Sequence, residues 1–189
     1  MTQNEVPQFS VMATEMKREA ARIAANEAQK FFKNSFVKGG FTDSAFHHWT
    51  GRISPLGGKK ILYNQATLMH SIQPTEQTEQ RIVITSDTPY SEIHNSGGTI
   101  TVTPQMKKFF WAKYYELAGN VKKTKSGKTS QSAANRKLSA KAEYCKNMAL
   151  MKVGSKIKIP KRQFMGDSPT LMRQLEQYMK KYIQQRKIQ

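Results

Sequence analysis

Residues 9–40 read FSVMATEMKREAARIAANEAQKFFKNSFVKGG, and this stretch decides the fold. Phe9, Met12, Met16, Ala20, Ile23, Ala24, Ala28, Phe31 and Phe32 recur at three- and four-residue steps. Such steps stack on one side of a helix, so the spacing predicts a single apolar stripe over about residues 10–37. Lys17, Arg18, Glu19, Asn26, Lys30 and Lys33 fill the polar side. Gly39-Gly40 ends the helix, because glycine accepts the backbone turn that closes one. The stripe is most simply a surface laid over a sheet. A groove for a partner helix is its other use.

Downstream the pattern changes. Residues 41–56 are irregular, with Phe46, Trp49 and Pro55 as anchors, and Gly57-Gly58 turns the chain. Ile61-Leu62-Tyr63 is a short apolar run, and residues 66–71 suit a helical turn or the start of a strand. The polar segment 74–80 reads as a hairpin loop. Residues 81–86, with Ile82, Val83 and Ile84 β-branched, and residues 99–103, β-branched throughout, read as strands. A loop starting at Pro89-Tyr90 and a turn at Ser96-Gly97-Gly98 separate them.

The span 106–117 looks helical, with Phe109, Phe110, Trp111, Tyr114 and Tyr115 crowded into it. Residues 119–131 are rich in Lys, Ser and Thr and read as a mobile loop, with 122–131 able to order on contact. A second helix covers 132–151, and the Lys/Ile alternation of 156–160 suits a short strand. Ser168-Pro169 offers an N-cap followed by proline at the first helical position. Leu171, Met172, Leu175, Tyr178, Met179, Tyr182 and Ile183 then form the apolar face of a closing helix. This order of elements predicts an α+β fold: a long N-terminal helix packed on a small antiparallel sheet, with a helical basic insert and a C-terminal helix. The whole of 1–189 is read as one domain, with the insert at 105–155.

The 189 residues carry 31 Lys+Arg against 13 Asp+Glu, a formal charge of +18. An excess of this size favours polyanions, acidic protein surfaces or anionic lipid as partners. Most of it sits in residues 106–162, where only Glu116 and Glu143 oppose the cations. The span is either a partner-facing insert or a solvated flexible face. Lys107, Lys108, Lys122, Lys123, Lys125 and Lys128 are the candidate contacts with a polyanion or partner. Residues 1–8 are polar and lack an apolar signal core, and no stretch approaches a membrane span. A soluble protein made in a cytoplasm is expected, with no membrane partner.

Catalytic and metal-binding patterns are sparse. His47 and His48 are adjacent and diverge on either a strand or a helix, so they make no chelating pair with each other. With His70 and His94 they match no zinc pattern, and no metal or cofactor is expected. Cys145, the single cysteine, suits a small buried apolar position better than a nucleophile. Ser54, Ser71 and Ser96 lack a nucleophile-elbow context. Gly57-Gly58-Lys59-Lys60 has the wrong spacing for a phosphate loop and reads as a basic turn. No catalytic residue is assigned.

Two segments are more specific. In PYSEIHNSGG (89–98), Tyr90 and Ile93 can bury while His94 and Asn95 satisfy a tight turn, and Gly97-Gly98 permit positive φ or close approach. In IPKRQFMG (159–166), Phe164 and Met165 can plug the core, and Arg162 offers a planar fork for carboxylates or carbonyls.

Together with the 61–72 segment, these resemble the virion morphogenesis (tail completion) family of tailed bacteriophages, of the Mu-like type. The resemblance rests on Ile61, Leu62, Tyr63, Leu68, Ser71 and Ile72 in the first motif. The second is carried by Tyr90, Ile93, His94, Asn95, Gly97 and Gly98. The third is carried by Ile159, Pro160, Arg162, Phe164, Met165, Gly166 and Ser168. Ala66-Thr67 stands where the family has a glycine, Ser91 where alanine is common, and Gln163 where proline is common. The basic stretch between the last two motifs is long for the family.

The resemblance implies a structural protein of the tail terminus or head–tail junction, without catalytic residues. It implies a homo-oligomeric ring, with a hexamer as the candidate number, and tail or connector proteins as partners. It would assemble in the host cytoplasm and reside in the virion tail or neck. DNA is a candidate contact of the basic insert. The other reading is a basic nucleic-acid-binding module, with Trp111, Tyr114 and Tyr115 able to stack on bases.

Overall fold

The computed structural model describes residues 9–58 and 60–186, the Phe9 and Arg186 side chains apart. The polar segment 1–8, the Phe9 side chain and Lys59 of the basic turn lie outside the described residues. Helix α1 spans Phe9–Lys38, and the chain continues as β1 (Gly40–Thr42), β2 (Phe46–His48), α2 (Thr67–His70), β3 (Ile72–Gln77) and β4 (Ile82–Ser86). Then come α3 (Ser91–Ser96), β5 (Gly98–Thr101), α4 (Pro104–Gly119), α5 (Ala133–Leu150), β6 (Lys156–Ile159) and α6 (Pro169–Arg186). The architecture is α+β, with a long first helix and a C-terminal helix.

Among the described residues the strands do not join into one sheet. They form three two-stranded antiparallel ribbons, β1–β2, β3–β4 and β5–β6. An isolated ribbon is marginal in water and needs a helix to cover its apolar side. Helix α1 does this for β1, β3 and β4. The core joins Ala28, Phe32 and Phe36 of α1 to Phe41, Trp49, Leu68, Ile72, Phe164 and Leu171. Phe36 meets the Trp49 ring edge-on at 5.4 Å and the Phe164 ring at 5.0 Å. Phe36 continues the expected stripe one turn past Phe32. The other end overhangs: Val11 and Met12 are about half exposed.

Several expectations need correction. The segment read as a hairpin loop is mostly strand β3, and the turn is confined to residues 78–81. Pro74 is tolerated in it because a register shift between Pro74 and Glu76 breaks the ladder there. The irregular stretch 41–56 contains β1 and β2, with Phe41 paired opposite His47. Trp49 is its buried anchor, whereas Phe46 and Pro55 are exposed. The loop after Pro89 is helix α3, so His94 and Asn95 are helical rather than turn residues, and Tyr90 is exposed. On α6, Leu171 is buried but Met172, Tyr178 and Ile183 are exposed. Only part of that apolar face meets the core.

Strands β5 and β6 pair from Gly98–Ile159 to Thr101–Lys156, although α4 and α5 lie between them in sequence. Both helices start on side-chain caps. Thr103 Oγ1 accepts from the Met106 N–H with Pro104 next in line, and Ser132 Oγ accepts from the Asn135 N–H. Helix α5 buries Asn135, Ala142, Cys145 and Ala149. These are small or compact side chains at helical spacing, which lets α4 lie close against it, with Phe110 edge-on to Tyr144 at 6.3 Å.

Candidate functional site

The three motifs converge. The third one, at residues 159–166, is laid across the other two and held by a set of side chains aimed at backbone. Helix α3 presents Asn95, whose Oδ1 accepts from the Phe164 N–H (2.8 Å) and the Met165 N–H (3.0 Å). Its Nδ2 donates back to the Met165 carbonyl at 3.1 Å. One amide thus satisfies three backbone groups of an irregular segment, which strands and helices cannot do for it. The Arg162 N–H adds a bond to the His94 carbonyl at 2.8 Å.

Gly97 ends α3 at φ 76°, and a Cβ there would stand 2.9 Å from the Lys161 nitrogen. The site therefore needs glycine for both conformation and approach. Arg162 is 8% exposed, with no carboxylate partner among the described residues. Its fork donates to the Thr50 carbonyl from Nε and to the Gly51 carbonyl from Nη2, both at 3.0 Å. Burial, with Arg52 nearby, lowers its pKa. Trp49 Nε1 donates to the Gln163 carbonyl at 2.6 Å.

Phe164 follows, fully buried, and Met165 packs against the same core. Gly166 adopts φ 141°. Ser168 then joins the first ribbon to α6: its hydroxyl donates to the Thr42 carbonyl (2.8 Å) and accepts from the Leu171 N–H (3.0 Å). From the first motif, Leu68 and Ile72 are buried, Ile61, Leu62 and Tyr63 lean on the core, and Leu62 and Ala66 take positive φ. Ser71 bonds the Leu68 carbonyl and the Ser86 hydroxyl.

Beside this junction lies an open cleft of about 340 Å³, lined by Arg52, Lys60, Tyr63, Tyr90 and His94 among others. Burial lowers the His94 pKa, and Arg162 adds to the effect, so the ring is neutral at neutral pH. Its Nδ1 is buried with no hydrogen-bond partner. His47 sits 3.2 Å from Asp43, apart from His48 on the exposed face of β2. Asp43 itself is held at a pKa of about 2, chiefly by the Ala45 N–H and then by Ser44 and His47. Cys145 is fully buried, and burial raises its pKa away from thiolate. Among the described residues, no group of three His, Cys, Asp or Glu side chains is placed to hold a metal ion. Nor is any described helix long and apolar enough to cross a membrane.

The basic span is a different surface. Lys108, Lys122, Lys123, Lys125 and Lys128 are exposed and Lys107 is half-buried. Among the described residues of 106–162, the only ion pair is Lys113–Glu116 at 2.7 Å. Trp111, Tyr114 and Tyr115 contact one another, with Trp111 stacked on Tyr115 at 5.8 Å. The segment read as a mobile loop has internal order: Lys123 bridges Thr129, and the Thr124 N–H bonds the Lys128 carbonyl at 2.7 Å. The residue that sequence reasoning missed is Asn135, which is 4% exposed and anchors this tip. An asparagine at the third position of a Ser-capped helix carried no signal of such a role.

No protein-family model, no curated protein and no solved structure matches the chain.

Proposed function

We propose that the chain is a phage assembly protein that completes the tail or neck so that head and tail join. It acts through protein–protein contacts, in a ring of like copies, with tail or connector proteins as neighbours. It works in the host cytoplasm during assembly and then in the virion. No catalytic step is assigned to it. One observation carries the reading beyond the resemblance itself. Three polar residues of the second and third motifs, Asn95, Arg162 and Ser168, are spent on backbone carbonyls and N–H groups. A motif used this way specifies a rigid frame, which is what a ring subunit needs. Met172, Tyr178 and Ile183 on α6 and Val37 on α1 supply exposed apolar surface for contacts between copies.

The test is the native mass of the purified chain, alone and mixed with tail-tube or connector protein. A closed oligomer or a defined co-complex is expected. A strict monomer that binds no virion component would sink the proposal. The second reading, a basic nucleic-acid-binding module, is favoured by the unpaired lysines of the insert. It predicts duplex or single-strand binding by a monomer.

A further inference from the structure

We infer that the tip of the α4–α5 hairpin is a grip for the phosphate backbone of duplex DNA, held in shape by Asn135. The inference deepens the proposed role by naming what the basic insert touches, and the geometry of the tip motivates it.

Between Glu116 and Glu143 the chain has no carboxylate. Lys122, Lys123, Lys125 and Lys128 project from the exposed tip, and Arg136 and Lys137 follow on the first turns of α5. The tip is built. The Asn135 Oδ1 accepts from the Lys122 N–H at 2.8 Å, and its Nδ2 donates to the Lys122 carbonyl (3.1 Å) and the Ser130 carbonyl (2.7 Å). The Ser130 N–H closes the neck on the Lys122 carbonyl at 2.9 Å. Gly127, at φ 77°, makes the turn. Four lysines are thereby fixed within a short reversal instead of being spread along a free chain. Holding like charges together is unfavourable unless a polyanion neutralises them.

The composition selects the polyanion. Protein interfaces are depleted in Lys and Ser and need an apolar or aromatic anchor. From Lys122 to Ser132 the tip has no apolar side chain. Lysines interleaved with Thr124, Ser126 and Thr129 match the groups that contact phosphates. Single strands are gripped by exposed stacking platforms. The aromatics Trp111, Tyr114 and the exposed Tyr115 contact one another on α4, outside the Lys122–Ser132 tip. A tip of charge and hydroxyls reads backbone, not sequence.

The experiment measures binding of the full chain to a labelled mixed-sequence duplex, by anisotropy, across a salt series. Neutralising Lys122, Lys123, Lys125 and Lys128 to Gln together should flatten the salt slope by about 3 to 4, close to 0.9 for each phosphate left without its lysine. Asn135→Ala should weaken binding about tenfold, while its unfolding midpoint is followed separately. Asn135→Asp keeps one acceptor but loses both donors and sets a carboxylate against the Lys122 and Ser130 carbonyls, so it should bind no better than the alanine variant. Failure of the wild type to bind duplex at low salt would overturn the inference. So would an unchanged slope in the four-lysine variant, tighter binding to a single strand, or preference for poly-glutamate over duplex. The four-lysine variant should keep the oligomeric mass of the wild type. A wild-type ring that binds no duplex refutes the grip alone, and a strict monomer that binds duplex but no tail or connector protein refutes the proposed role alone.

Discussion

Replacing Asn95 by alanine removes the one side chain that serves three backbone groups of the 159–166 segment. The Phe164 and Met165 N–H groups and the Met165 carbonyl are left unpartnered beside a fully buried Phe164 ring. Each missing bond costs about 0.5–1.5 kcal/mol where water can substitute, and about 1–3 where it cannot. Asn95 is half-buried, so water reaches part of the site, and the total should be about 2–4 kcal/mol. For a chain of this size that corresponds to a melting point lower by roughly 4–16 °C. Urea unfolding in a Trp111→Phe background, followed by the fluorescence of Trp49 in the same core, measures it directly. Asn95→Asp is the informative partner. Its carboxylate can still accept from both N–H groups but faces the Met165 carbonyl without a proton to offer. It should fall between wild type and alanine. A destabilisation below about 0.5 kcal/mol for alanine, within the range of an ordinary surface change, would refute the reasoning. An aspartate variant as weak as alanine would refute the part assigned to the N–H groups.

Gly97→Ala should cost about 1–3 kcal/mol from its positive φ, plus the overlap with the Lys161 backbone. Gly39→Ala, at φ 71° with open space around it, is the comparison, and urea midpoints should rank Gly97 as clearly the more sensitive. Cys145 should resist iodoacetamide in the native protein and react after denaturation; fast native alkylation would contradict its burial. The His94 pKa is lowered in the fold, so the unfolded chain binds the extra proton first. Stability should fall as pH drops below the ordinary value of about 6.5, and His94→Gln should flatten that part of the profile. Asp43 runs to lower pH: its contribution is full above about 3.9 and is lost as pH falls through about 2. Asp43→Asn should remove that acid-limb loss in a melting-point series.

Periodic features were legible in the residues. The stripe of α1, the β-branched β4 and β5, the Ser168 cap and the Lys/Ile alternation of β6 all rest on local spacing. Positions set by distant partners were not. The polarity of 74–80 argued for a loop, yet residues 74–77 belong to β3, and the shift beside Pro74 in the β3–β4 ladder accommodates its ring. Tyr90 and Met172 matched an apolar pattern but face solvent, because hydrophobicity says that a side can bury and not that a neighbour covers it. The Lys/Ser/Thr composition of 119–131 argued for a mobile loop. A single buried amide thirteen residues from Lys122 orders its tip.

The sequence by itself determined the α+β class, the long first helix, the concentration of charge and the three motifs. These depend on residue type and short-range periodicity, which the chain carries locally. Tertiary structure alone decided that the strands stay in three ribbons, that Asn95, Arg162 and Ser168 serve backbone groups, and that Asn135 shapes the basic tip. An irregular segment cannot satisfy its own peptide groups, so its partners come from wherever the fold brings a side chain near. In Arg162 that partner set lies more than a hundred residues away, beyond the reach of any local pattern.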